Sequence, residues 1–131
     1  MNLLLDTHVW YWFLEDPRRL TKRVASTLRR SSGQLWVSPI SSWELFVLVR
    51  KGRLKLKPDA ATFVMDAWKQ REFREATVTQ EVVMAIEQVW LPHNDPADTF
   101  LAATARAYGL TLVTADESIL QGRGFSILAN R

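Results

Sequence analysis

Four acids stand where a chain of this pattern passes from one element to the next: Asp6, Glu44, Asp98 and Asp116. Asp6 follows directly on the apolar run from Asn2 to Leu5. Asp116 lies just beyond a second apolar run, Leu110 to Thr114. Glu44 falls in the first turns of a helix, and Asp98 in the first turn of an alanine-rich one. Singly, most have an ordinary explanation. Asp98 suits the positive end of a helix dipole, Asp116 suits a helix cap, and Glu44 suits a surface position. Asp6 is harder to explain so, because a carboxylate at the end of a buried strand needs a partner. Together, four carboxylates aimed at one edge repel each other, and cations relieve that repulsion. The chain has no cysteine and two histidines. The ligands on offer are therefore carboxylate oxygens, which suit Mg²⁺ or Mn²⁺ and disfavour zinc. Ions held in this way, with water in the remaining positions, serve phosphoryl chemistry.

The elements that must position these acids alternate between strand and helix. Asn2 to Leu5 reads as a buried strand and Thr7 to Glu15 as a helix broken by Asp16-Pro17. Leu20, Val24, Ala25 and Leu28 recur at helical spacing, which predicts a helix from Thr21 to Arg30. Gln34 to Val37 reads as a second strand. Ile40 to Arg50 reads as a helix capped by Ser41 or Ser42 and closed at Lys51-Gly52. Arg53 to Lys57 alternates basic and apolar residues, as a short extended segment would. Asp59 caps a helix expected to run to about Arg71. Glu75 to Val78 reads as a third strand, and a helix from Thr79 ends near Trp90. Pro96 to Tyr108 carries proline at its first turn and Gly109 at its end, the strongest helix signal in the chain. Leu110 to Thr114 is a fourth strand, a short helix starts at Asp116, and Phe125 to Leu128 is a fifth strand. This alternation predicts an α/β fold: three layers, with a central parallel sheet of four to five strands between helices. Ligands of such sheets bind outside the carboxyl ends of the strands, where all four acids are expected.

The length of 131 residues suits one domain, and 47% hydrophobic residues suffice for a core. The absence of cysteine excludes disulfides and thiolate chemistry and fits a reducing compartment. The start lacks the pattern of a secretory signal, and no apolar run spans a bilayer, so the expectation is a soluble cytoplasmic protein without membrane contact. The net charge is +3. Basic residues cluster at Arg18, Arg19, Lys22, Arg23, Arg29 and Arg30, and again at Arg50, Lys51, Arg53, Lys55 and Lys57. Such clusters are solvated faces or tracks for a phosphate backbone; Arg18 and Arg19 are the pair expected to contact such a backbone. His8 and His93 are read as non-catalytic. Six tryptophans are many for this length, and Trp10 and Trp12 cannot share one narrow helix stripe, so either their helix is widely buried or at least one helix face covers a partner or a second copy.

Four segments, in order, resemble the motifs of the PIN-domain family. They are Leu3-Leu4-Leu5-Asp6-Thr7, then Val37 to Leu45 with Trp43-Glu44-Leu45. Asp95 to Ala105 follows, with Asp98, and Leu112 to Glu117, with Asp116, is the last. The likeness spans essentially the whole chain and is closest to the VapC-like toxins of toxin–antitoxin pairs. It implies a metal-dependent endoribonuclease that hydrolyses RNA with Mg²⁺ or Mn²⁺. It also implies a homodimer and a cognate antitoxin. Carried over, Asp6 and Asp98 would be the principal metal ligands and Asp116 would complete the set. Glu44 would hold a second ion or orient the attacking water. Thr7 and Thr114 would hydrogen-bond these carboxylates, and Asp95 would cap the helix.

Other readings make different demands. A haloacid-dehalogenase-type phosphatase wants a second acid where His8 stands, and a receiver domain wants paired acids and a later lysine. A silent RNA- or protein-binding PIN module would lack an acid, and all four are present. An RNA-maturation nuclease without an antitoxin shares every residue named here.

Overall fold

The computed structural model describes residues 1–70 and 72–131. Five strands form one sheet in the order β3-β2-β1-β4-β5, every neighbouring pair parallel. They are β1 (Leu3–Leu5), β2 (Leu35–Val37), β3 (Phe73–Glu75), β4 (Thr111–Thr114) and β5 (Ser126–Ala129). A parallel strand covered on both faces has no solvent side, which is why Leu3, Leu4 and Leu5 run without a polar residue and are all fully buried.

Alternate side chains divide the core in two. Leu3, Leu5, Leu35, Val37, Phe73 and Val113 pack on one face beneath α1 (Thr7–Glu15), α2 (Lys22–Arg30), α3 (Pro39–Arg50) and α4 (Ala60–Lys69). Leu4 and Leu112 pack on the other, against Leu101 and Ala105 of α6 (Pro96–Tyr108) and Ile119 of α7 (Glu117–Leu120). Val82 and Ala85 of α5 (Gln80–Ala85) rest on Ala103 of α6. The alanines of α6 let it lie close to the sheet and to α5 at once. No described helix is long and apolar enough to cross a membrane.

Several boundaries depart from the sequence reading. The third strand is Phe73–Glu75, not Glu75 to Val78, because its register with β2 places Phe73 opposite Leu35, where it meets Trp10 and Phe13 in the core. Ser38, not Ser41 or Ser42, caps α3 through Ile40 N at 3.0 Å, since Pro39 is well suited to the first helical position. Arg53 to Lys57 forms no strand. The helix expected to end near Trp90 stops at Ala85 and continues as a 3₁₀ turn, Ile86–Gln88. The helix after Asp59 is described to Lys69, and its expected end at Arg71 lies outside the described residues.

Candidate active site

The strand order turns outward in both directions from the β1–β4 pair, and a crevice opens at the carboxyl ends of these two strands. A cleft of about 560 Å³ lies there, lined by Asp6, Glu44, Asp95, Asp98 and Asp116 together with His8, Trp12, Arg19, Arg53 and Ala115. The four acids expected from the sequence therefore converge on one cleft, although Asp6 and Asp116 belong to opposite ends of the chain.

Asp6 leaves β1 and caps α1, with Oδ1 accepting from Thr7 N at 2.7 Å. Its Oδ2 accepts from Thr114 Oγ1 at 2.6 Å. Thr114 in turn accepts from Asp116 N at 3.0 Å, so one buried hydroxyl ties the end of β1 to the turn after β4. The Asp116 side chain caps α7 through Ser118 N and Ile119 N, at 2.8 and 3.2 Å. Its cap role and its place in the cleft coexist, because Oδ2 is left free of those bonds. Thr7 reaches the other way: its hydroxyl donates to Glu44 Oε1 and lies 3.0 Å from Ser41 Oγ. That contact fixes α3 against the start of α1. Asp95 caps α6 by accepting from Asp98 N at 3.1 Å, as the sequence predicted.

His93 enters a place the sequence did not assign to it. Its Nδ1 accepts from Asp95 N at 3.1 Å, which leaves the ring hydrogen on Nε2. That nitrogen lies 3.3 Å from Asp98 Oδ2. Ligand-type atoms of His93, Asp98 and Asp116 all lie within 4.8 Å of one another, and with its hydrogen on Nε2 His93 stands there as a donor to Asp98 rather than as a ligand. His93 stands in the turn before the helix cap, a position without periodicity, and no sequence signal marked it. Of the two arginines singled out in the sequence, Arg19 lines the cleft and Arg18 does not, and nothing in the sequence separated Arg53 from the other basic residues of its cluster.

Crowding shows in the electrostatics. Burial pushes the Asp6 carboxyl up, against the hydrogen bonds from Thr114 and Thr7. Burial raises Glu44 as well, with Asp6, Asp95 and Asp116 adding to it and the Thr7 bond opposing. Asp98 is pushed up to about 8, by burial first and then by Asp95, Asp6, Asp116 and Glu44. Carboxylates in this state gain from a cation that takes the place of their protons. The donor set, oxygen with one adjacent imidazole, fits Mg²⁺ or Mn²⁺.

The PIN domain family model matches residues 3–123. The chain is 33% identical over 125 residues to ribonuclease VapC22 of Mycobacterium tuberculosis, covering 93% of this chain and 92% of that one. Its fold is similar to that of a chain in VapBC2 from Rickettsia felis bound to promoter DNA. The TM-score is 0.72 at 14% identity, covering 98% of both chains. It is also similar to a chain in DNA-bound VapBC from Salmonella typhimurium, at a TM-score of 0.70 and 17% identity, covering 100% and 99%.

Proposed function

We propose, given that this chain belongs to the PIN domain family, that it is a divalent-metal-dependent endoribonuclease acting as the toxin of a toxin–antitoxin pair. The observation that carries the reading is the convergence of Asp6, Glu44, Asp98 and Asp116 on one cleft, where burial and the neighbouring acids push three of them above the usual carboxylate range. Such a group is costly unless it binds cations.

In this reading Asp6 and Asp98 are the principal ligands, Asp116 completes the set, and Glu44 holds a second ion or orients the attacking water. A divalent cation bound there supplies charge to polarise the phosphodiester and to activate water. The protein's own contribution is to keep the carboxylates aimed. Thr114 and Thr7 fix Asp6, Thr7 fixes Glu44, and His93 fixes Asp98. Mg²⁺ is the ion proposed, with Mn²⁺ as a substitute.

The 33% identity to a named VapC ribonuclease supports RNA as substrate. The toxin–antitoxin assemblies among similar folds support a cognate antitoxin. A homodimer and a cytoplasmic site of action belong to the same reading.

The test is cleavage of a structured RNA pool by the purified chain with Mg²⁺, with Mn²⁺ and with chelator, beside Asp6→Asn. Cutting that needs metal and falls to background in the variant is the expected result. Cutting that persists in chelator, or in the variant, rejects the assignment.

A further inference from the structure

One wall of the cleft is unused by the cleavage chemistry just described. It consists of His8 and Trp12 on α1 and Arg19 on the turn Pro17–Arg19. His8 and Trp12 are four residues apart, so they share a helix face, with ring centres 5.7 Å apart. The Arg19 guanidinium lies over the Trp12 ring, 5.5 Å from its centre. Trp12 also packs against the core beneath α1, whereas the Arg19 side chain is 63% exposed.

The backbone that carries Arg19 is held as well. Asn130 Nδ2 donates to Arg19 O at 3.1 Å, and Asn130 Oδ1 accepts from Thr21 N at 2.8 Å. The Asn130 backbone N donates to Thr114 O at 2.7 Å. Thr114 is the residue whose hydroxyl holds Asp6. The arginine wall and the acidic floor are therefore tied to one another through two residues.

Five carboxylates line this cleft against two arginines, Arg19 and Arg53. A phosphate strand entering it needs cations at the rim as well as at the floor. A guanidinium laid on an indole supplies charge together with a flat face on which a base can stack. We infer that the Trp12–Arg19 stack, with His8 beside it, is a subsite for an unpaired nucleobase next to the acidic floor, and that Arg53 takes a phosphate of the same strand. The inference rests on the ribonuclease reading and assigns the holding of an unpaired base to these side chains. A base inside a duplex already has both faces stacked on neighbours and cannot lie on Arg19 without being unstacked. Arg18 is the internal control: it is 93% exposed and does not line the cleft, while both arginines pair with Asp16, Arg18 at 3.4 Å and Arg19 at 3.9 Å.

The experiment uses full-length Asp6→Asn protein with Mg²⁺ and a fluorescently labelled RNA, presented as a single strand and as a duplex of the same sequence. The single strand should bind more tightly than the duplex. Arg19→Lys keeps the charge and removes the flat face, and should weaken binding by about tenfold, nearly as much as Arg19→Ala. Arg53→Ala should lower the slope of log affinity against log salt by about 0.7, and Arg53→Lys should restore it. Arg18→Ala should bind as the parent does. Both arginines that carry the test are exposed, and circular dichroism of each variant is the check on its folding. Arg19→Lys binding like the parent, or a duplex bound as tightly as the single strand, overturns the subsite. Cleavage by the chain with Asp6 intact separates the two readings. RNA cut normally by Arg19→Lys removes the subsite and leaves the ribonuclease. RNA neither bound nor cut under any metal removes both.

Discussion

Thr114 has three partners at once. Its hydroxyl donates to Asp6 at 2.6 Å and accepts from Asp116 N at 3.0 Å, and its carbonyl accepts from Asn130 N at 2.7 Å. It is fully buried, so the isosteric change Thr114→Val leaves Asp6 Oδ2 and Asp116 N without their partner and lets no water replace it. A lost hydrogen bond to a buried charged group costs about 2 kcal/mol, and losing the support of a metal ligand costs about 10- to 100-fold in metal affinity. Thr114→Val should show both losses, in thermal melts and in Mn²⁺ titration, while Thr114→Ser should show little of either. Equal Mn²⁺ affinity in Thr114→Val and the parent would mean that Asp6 is oriented by something else. Asp98 carries a second residue-scale consequence. Its carboxyl is pushed up to about 8, by burial and then by the neighbouring acids, whereas an unfolded aspartate titrates near about 3.9. Between these values the folded metal-free chain holds a proton that the unfolded chain has released. The stability this contributes is complete below the unfolded value and is lost as pH rises through about 8. Asp6 and Glu44 are raised as well and act with the same sign. In chelator the melting midpoint should therefore fall from pH 5 to pH 8, and Asp98→Asn should flatten the fall. Saturating Mg²⁺ should raise the midpoint more at pH 8 than at pH 5, where protons compete with it. A midpoint that does not vary with pH in chelator contradicts the crowding described here.

At the scale of elements, the helices were more legible than the strands, and the reason is chemical punctuation. Helix α6 declares itself by Asp95 as cap, Pro96 at its first position and Gly109 in the left-handed conformation at its end. β3 was misread because the register with β2, set by long-range packing of Phe73, outweighed the local preference of Thr77 and Val78 for extended structure. Its exposed Arg74 looks like a loop residue, although charge is common on an edge strand. The cap of α6 also allows two properties of Asp95 to be separated. Asp95→Ala removes the cap, at about 1 kcal/mol, and frees the helix start that carries Asp98. Asp95→Asn keeps a capping oxygen while removing a negative charge that helps hold the proton on Asp98. Metal-free Asp95→Asn should therefore match or exceed the parent in melting midpoint at pH 8, whereas Asp95→Ala should fall below it. Equal destabilisation by both would show that the charge of Asp95, and not only its cap, supports the helix.

Across the whole molecule, the site depends on a property that no local reading of the chain contains, the adjacency of β1 and β4. The strand order places the end of β1 beside the end of β4 at the point where the sheet grows outward in both directions. Residues 6 and 114 thereby share a hydrogen bond across 108 positions of sequence. The acids were legible because each follows a strand or opens a helix, and family resemblance put them in order. His93, Arg19, Arg53 and Trp12 were not singled out as a set, since only the folded arrangement of turns brings them to the same opening. Asn130, at the far end of the sheet, joins the two parts of that opening. Its side chain holds the turn of Arg19 and Thr21, while its backbone reaches Thr114. Asn130→Ala removes the side-chain bonds and keeps the backbone bond. The floor of carboxylates should then bind Mn²⁺ much as before, while the wall loses its anchor and single-stranded RNA binds more weakly. A parallel loss of Mn²⁺ and RNA binding in a folded Asn130→Ala chain would show that floor and wall form one inseparable unit. Loss of RNA binding alone would show that the molecule holds metal and strand by separate parts of one scaffold.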